Sequence, residues 1–154
     1  MHDLRPTAEE LAGLVAGVRD DQLRASTPCA AYALGDLLQH GRGLAEAFAY
    51  AGSRQQPPGG SQPPPPGDAA LLPEDWRGEI SAWLDRLAQA WAAPQAWEGT
   101  TWIAGFEAPA GAIGAAAANE LVVHGWDIAR ASGLLDRIVA GNGRDPGWSP
   151  GSAG

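Results

Sequence analysis

The chain has 154 residues, enough to bury one hydrophobic core and too few to expect two. Apolar residues make up 45%, but many are Ala, so a core must lean on Leu, Ile, Val and the seven Trp. A net charge of −8 excludes a surface that tracks nucleic acid or anionic lipid, which needs clustered Lys and Arg; every basic side chain here is Arg, which we read as GC-rich codon bias.

The start, Met1-His2-Asp3-Leu4-Arg5-Pro6, lacks the apolar core of a signal peptide. The longest uncharged Ala/Gly-rich run, Ala108 to Asn119, falls well short of the roughly 20 apolar residues of a membrane span. A cytoplasmic protein with no membrane and no nucleic-acid partner is expected. Thr7-Ala8-Glu9-Glu10 fits a capping box, and Leu11, Leu14, Val15 and Val18 recur at helical spacing, which predicts a first helix over 7–21. Asp20 to Ala33 reads as a connection, since the residue before Pro28 is pushed out of helical dihedrals. Cys29, the sole cysteine, excludes an intramolecular disulfide and a thiolate zinc cluster and points to a reducing compartment. A lone cysteine of this kind is more simply a small buried hydrophobe than a nucleophile.

A second helix carries Leu34, Leu37, Leu38, Gly41, Leu44, Ala45 and Phe48 on one side and Gln39, Arg42 and Glu46 on the other. With Leu37 at zero, His40 falls at about 300°, on the edge of a stripe centred near 40°. Taken alone, this imidazole is more simply a satisfied boundary residue than a ligand. Residues 52–67 hold six Pro and four Gly in sixteen positions. Such a stretch cannot bury a face, so 52–72 is expected to be a flexible, partly polyproline-like linker with no chemistry of its own. A crossover of that length lets the helices on either side run parallel. A third helix begins near Pro73-Glu74-Asp75, buries Trp76, Ile80, Trp83, Leu84, Leu87 and Trp91, and ends at Pro94. Gln95 to Glu107 suggests an extended or looping connection. Pro109 can open a fourth helix and Gly133 can close it. Leu134 to Ala140 could add two turns, and 141–154, rich in Gly and Pro, is expected to be a disordered tail after a single domain over 1–140.

The fourth helix carries the chemistry. With Ile113 at zero, Glu120, His124 and Asp127 fall at about 340°, 20° and 320°, inside a stripe formed by Ile113, Ala117, Leu121, Ile128 and Ala131. Charges on a face that should be apolar need partners. Glu120 and His124, one turn apart, converge on one point. A third ligand must come from elsewhere, and His40 is the available interior histidine, His2 being terminal and solvated. Two histidines and one carboxylate suit a catalytic zinc site with one open position, and equally nickel, iron or manganese. The plainer alternative is a hydrogen-bonded Glu120–His124 pair inside an ordinary bundle. Asp127 can accept from a ligand imidazole, face a substrate as a catalytic group, or pair with Arg130.

Thr27-Pro28-Cys29, then Gly35-Asp36-Leu37-Leu38-Gln39-His40, and above all Glu120-Leu121-Val122-Val123-His124-Gly125-Trp126-Asp127-Ile128-Ala129-Arg130-Ala131, resemble the actinobacterial maleylpyruvate isomerase-like proteins of the DinB/YfiT-like metalloenzymes. The resemblance runs from the first helix to about Gly133. It implies an all-α four-helix bundle, up-down-down-up, with the long Pro/Gly-rich crossover between helices 2 and 3, and a metal held by His40, Glu120 and His124. It also implies a mycothiol-like low-molecular-weight thiol as cofactor, with isomerase or thiol transferase activity. Three departures stand out. Tyr32 occupies a position where relatives usually have Trp, and Gly41 follows His40 where an apolar residue is usual. Leu135-Asp136-Arg137-Ile138 resembles the far C-terminus of relatives but follows Ala131-Ser132-Gly133 directly, so a wall of the substrate pocket is expected to be missing.

The leading expectation is a divalent-metal enzyme, zinc first, that activates a thiol for isomerisation or transfer on a small organic substrate, with a homodimer open. A non-catalytic metal-binding or structural bundle is the alternative, motivated by the shortened C-terminus. A metal-dependent hydrolase with Asp127 as base ranks third.

Overall fold

The computed structural model describes residues 2–135. The short helix expected over 134–140 runs past the last of these, and the tail expected over 141–154 lies outside the described residues. Four helices dominate: α1 (Arg5–Gly17), α2 (Leu34–Ser53), α3 (Trp76–Ala90) and α4 (Ala110–Ser132), with one hairpin, β1 (Thr100–Ile103) and β2 (Phe106–Pro109).

Helix α1 starts earlier than the Thr7 capping box predicts. Pro6 occupies the first turn, where its missing N–H costs nothing, and the Asp3 carboxylate accepts the Arg5 N–H at 3.0 Å. Thr7 is therefore inside the helix. The helix also stops short of 21, because Val18 turns extended and its carbonyl accepts from Nε and Nη2 of Arg77 on α3. Asp20–Gln22 then form a separate 3-10 turn. Helix α3 is capped by the Asp75 carboxylate on the Gly78 N–H, and α4 ends where Gly133 takes a left-handed φ of 73°. The connection before α4 is the antiparallel hairpin, paired from Thr100↔Pro109 to Ile103↔Phe106. Its two-residue turn, Ala104-Gly105, has positive φ at both positions, the geometry whose twist matches the strands.

Cross-helix contacts fix the directions. Arg42 reaches Glu79 at 3.0 Å near the start of α3, and Trp91 at its end donates to the Phe48 carbonyl near the end of α2, so α2 and α3 are parallel. Gln22 beyond α1 donates to the Ser132 carbonyl at the end of α4, whereas Arg77 at the start of α3 holds the end of α1. Gly114, in the first turns of α4, packs on Trp91. The order is up-down-down-up, as the long crossover permits. Helices α1 and α2 each pack against both α3 and α4.

The core follows the expected stripes, with Leu34, Leu37, Leu38, Ala45 and Phe48 of α2 and Ile80, Leu84 and Leu87 of α3 all buried. Trp83 departs from its stripe: it is half-buried, tilted against Tyr50, with Arg86 over its ring. One end of the bundle closes on indoles. Trp91 is 1% exposed and its carbonyl accepts from Trp97 Nε1, while the Thr101 hydroxyl donates to the Ala51 carbonyl. Among the described residues no helix is long and apolar enough to cross a membrane.

Candidate metal centre

Three side chains from two helices meet between α2 and α4. Donor atoms of His40, Glu120 and His124 all lie within 4.8 Å of one another, and each residue is partly buried. The helical repeat brings Glu120 Oε2 to 2.8 Å from His124 Nε2. The antiparallel packing of α2 brings the His40 ring to 5.4 Å from that of His124, edge-on.

The close Glu120–His124 approach lacks hydrogen-bond alignment. Both ring nitrogens of His124, and Nδ1 of His40, are buried without a hydrogen-bond partner. Buried imidazole nitrogens are ordinarily paired, so an unpartnered one on each of two adjacent rings, His40 and His124, leaves room for an electrophile. The donor set, two imidazoles and a carboxylate, fits a divalent metal ion. Burial holds the His40 pKa below its ordinary value, the charge of His124 adds to this, and Glu120 opposes it. An imidazole kept neutral has its lone pair free to donate.

Asp127 is 7% exposed, with Oδ2 3.7 Å from His124 Nδ1. It faces the side of the ring turned away from Glu120. The Arg130 alternative is not realised, since that guanidinium lies over the Trp126 ring. Cys29, in contrast to the expectation of a buried hydrophobe, is partly exposed in the loop before α2. His2 is exposed, as expected.

Two neighbours of His40 escaped the sequence pattern. The Tyr32 ring stacks on the His40 imidazole at 5.2 Å, and its hydroxyl accepts the Gly67 N–H at 3.3 Å. Tyr32 is set by its loop: the Thr27 hydroxyl is within donating reach of the Cys29 and Tyr32 carbonyls, and Ser26 bridges Ala33. The end of the Pro-rich crossover lies along α2 beside His40. Asp36 Oδ1 accepts the Ala69 N–H at 2.8 Å, Gln39 Oε1 accepts the Asp68 N–H, and a Cβ on Gly67 would collide with the Asp36 carbonyl and come within 3.0 Å of His40 Cβ. Only a glycine admits this approach.

No curated protein and no solved structure matches the chain. The model of one family does, over residues 4–129, a span that holds all four helices nearly to the end of α4 and includes His40, Glu120 and His124. By that match the chain belongs to the family of the mycothiol maleylpyruvate isomerase N-terminal domain.

Proposed function

We propose that the protein is a divalent-metal-dependent enzyme that activates a low-molecular-weight, mycothiol-like thiol for isomerisation or thiol transfer on a small organic substrate. The observation that carries the reading is the convergence of His40, Glu120 and His124, with buried ring nitrogens on both histidines lacking hydrogen-bond partners. Zinc is the first choice for this donor set, ahead of nickel, iron or manganese. When bound, such an ion lowers the pKa of a coordinated thiol or water and leaves at least one position open.

The chain's own residues supply the rest. Tyr32 stacks on His40 and limits its rotation. Asp127 Oδ2, 3.7 Å from His124 Nδ1, is placed to accept its proton once that gap closes, which would fix the tautomer that leaves the Nε2 lone pair facing Glu120. The Gly67 segment, held by Tyr32, Asp36 and Gln39, covers α2 beside His40 and limits the approach of water from that side.

The test is to purify the protein and its His124→Ala variant without chelators, load both with zinc or nickel, and measure bound metal. About one equivalent is expected in the parent, and less than about a tenth of that in the variant; a parent below about a tenth of an equivalent overturns the reading. Addition of a thiol to the cobalt-substituted parent should then change its visible spectrum, which a metal that merely staples the fold would not allow.

A further inference from the structure

Trp83 is the indole of the α3 stripe that the core leaves half-buried, beside Tyr50, with the two rings 5.7 Å apart and tilted by 48°. They wall an open cleft of about 420 Å³ between the second halves of α2 and α3, which Ser53, Arg86 and Gln89 help to complete. The Arg86 guanidinium lies 4.6 Å over the Trp83 ring, and among the described residues it has no carboxylate within ion-pair distance. An aromatic slot edged by guanidinium and amide donors suits a polyproline helix, whose pyrrolidines pack on the rings and whose carbonyls stay free to accept.

The same chain presents such a segment. Pro64 lies against Gly43, and Gly67 lies against Asp36 and His40. Residues three apart thus face α2, which is the period of a polyproline helix. Pro63, Pro65 and Pro66 are left exposed on the outer side of this ridge. Asp68 is exposed two residues beyond, and among the described residues it has no cationic partner. From Gln55 to Gly67 the sequence carries no charge, so two copies of a chain with net charge −8 can approach there.

Ridge and cleft are placed for reciprocal docking. Gly43 and Tyr50 are seven residues apart, so both features lie on one side of α2, separated by about 10 Å along it. The ridge runs against α2, from Pro64 at Gly43 to Gly67 at Asp36, whereas α3 runs with α2. A two-fold rotation that sets two α2 helices antiparallel therefore lays the ridge of each copy along α3 of the other, in the same direction. Pro66 then meets Trp83 and Asp68 meets Arg86, because two polyproline residues cover about 6 Å and one helical turn about 5 Å. The opposite charges of Asp68 and Arg86 fix that register.

We propose that the protein forms a two-fold symmetric dimer in which the Pro63–Pro66 ridge of each copy docks in the Tyr50–Trp83 cleft of the other. The contact is isologous, so each half of it is used twice. It stands apart from the metal reading above.

Sedimentation velocity of the full chain from about 5 to about 500 µM should show a monomer–dimer equilibrium with a dissociation constant on the order of 10–100 µM, the strength of a small interface. Trp83→Ala should weaken the dimer at least about thirtyfold, as loss of a central aromatic anchor does. Arg86→Glu and Asp68→Arg should each weaken it about fivefold. Both reversals in one chain should restore it, a recovery that a misfolded variant does not give. An excess of a free peptide of residues 61–67 should split the parent dimer. A parent that stays monomeric over the whole range overturns the proposal, and so does a dimer that Trp83→Ala leaves intact or that the double reversal fails to restore. A monomeric parent that still binds the peptide makes the cleft a site for another protein's polyproline and overturns the second copy as its occupant.

Discussion

Asp127 is withdrawn from water on a helix whose other carboxylate, Glu120, keeps 37% of its side chain exposed. Burial of a carboxylate needs a return, and the imidazole of His124 is the group it faces. Asp127→Asn preserves shape and removes the charge that orients the ring, so metal affinity should fall by about 10- to 100-fold in competition with a chelator. Unfolding of the metal-free variant should stay within about 1 kcal/mol of the parent, a result that separates orientation from packing. His40 sets a second expectation. Burial, with a smaller push from His124, holds its pKa below 6.5, against a partial opposing pull from Glu120. The unfolded chain then takes up the proton more readily than the folded one, so the stability tied to neutral His40 is fully present above pH 6.5 and is lost as pH falls through the lowered folded value. Urea unfolding of the metal-free protein at pH 7.5 and at stepped acid values should show this decline, and His40→Gln should flatten that part of the profile.

Between the helices, the crossover is read best through Gly67. Its composition predicted a stretch unable to bury a face over 52–72; the first two of these residues close α2, and the one regular element beyond them is the 3-10 turn Ala69–Leu71. What composition could not show is that its last residues hydrogen-bond to Tyr32, Asp36 and Gln39 of a segment some thirty positions earlier. The partners are backbone amides, which carry no sequence signature, and the close approach depends on the absence of a single Cβ. Gly67→Ala should cost about 1–3 kcal/mol by urea denaturation and loosen the segment beside His40. Gly52→Ala should cost a similar amount, because its Cβ would lie 2.7 Å from Trp91 Nε1 in a knot with no room to give. The stripes of α2, α3 and α4 were legible because a period of 3.6 is written in single residues. The exact ends of α1 were not, since Pro6 and an arginine from α3 decide them. The hairpin was missed as a hairpin because Ala104-Gly105 lacks the Asn-Gly or Asp-Gly signal of its turn.

For the molecule as a whole, a ligand that binds the folded state alone adds to stability by mass action. Zinc at about a thousand times its Kd should contribute about 4 kcal/mol, which for a chain of this size raises the melting temperature by roughly 8–16 °C. Differential scanning calorimetry of the parent and of Glu120→Gln, each with zinc and with chelator, would check this, and the shift should vanish in the variant. The four helices were read from pattern, the parallel run of α2 and α3 from the length of one crossover, the bundle from family resemblance, and the two donors on α4 from a helical wheel. The meeting of His40 with them needed the antiparallel packing of α2 on α4, which no local pattern encodes.

That packing also shapes how the chain reaches its native state. Helix α1 rests on α3 and α4 and not chiefly on its successor, and the one pair of consecutive helices that does associate closely, α2 with α3, is joined by the long crossover. An early helical hairpin, the usual first step in a bundle, has no short loop to form around. Native contacts must instead close large loops before apolar burial repays them, so folding should be slow for an all-helical protein, in the range more typical of mixed domains. Until α4 arrives, the faces of α1 and α2 that it will cover stay open to solvent.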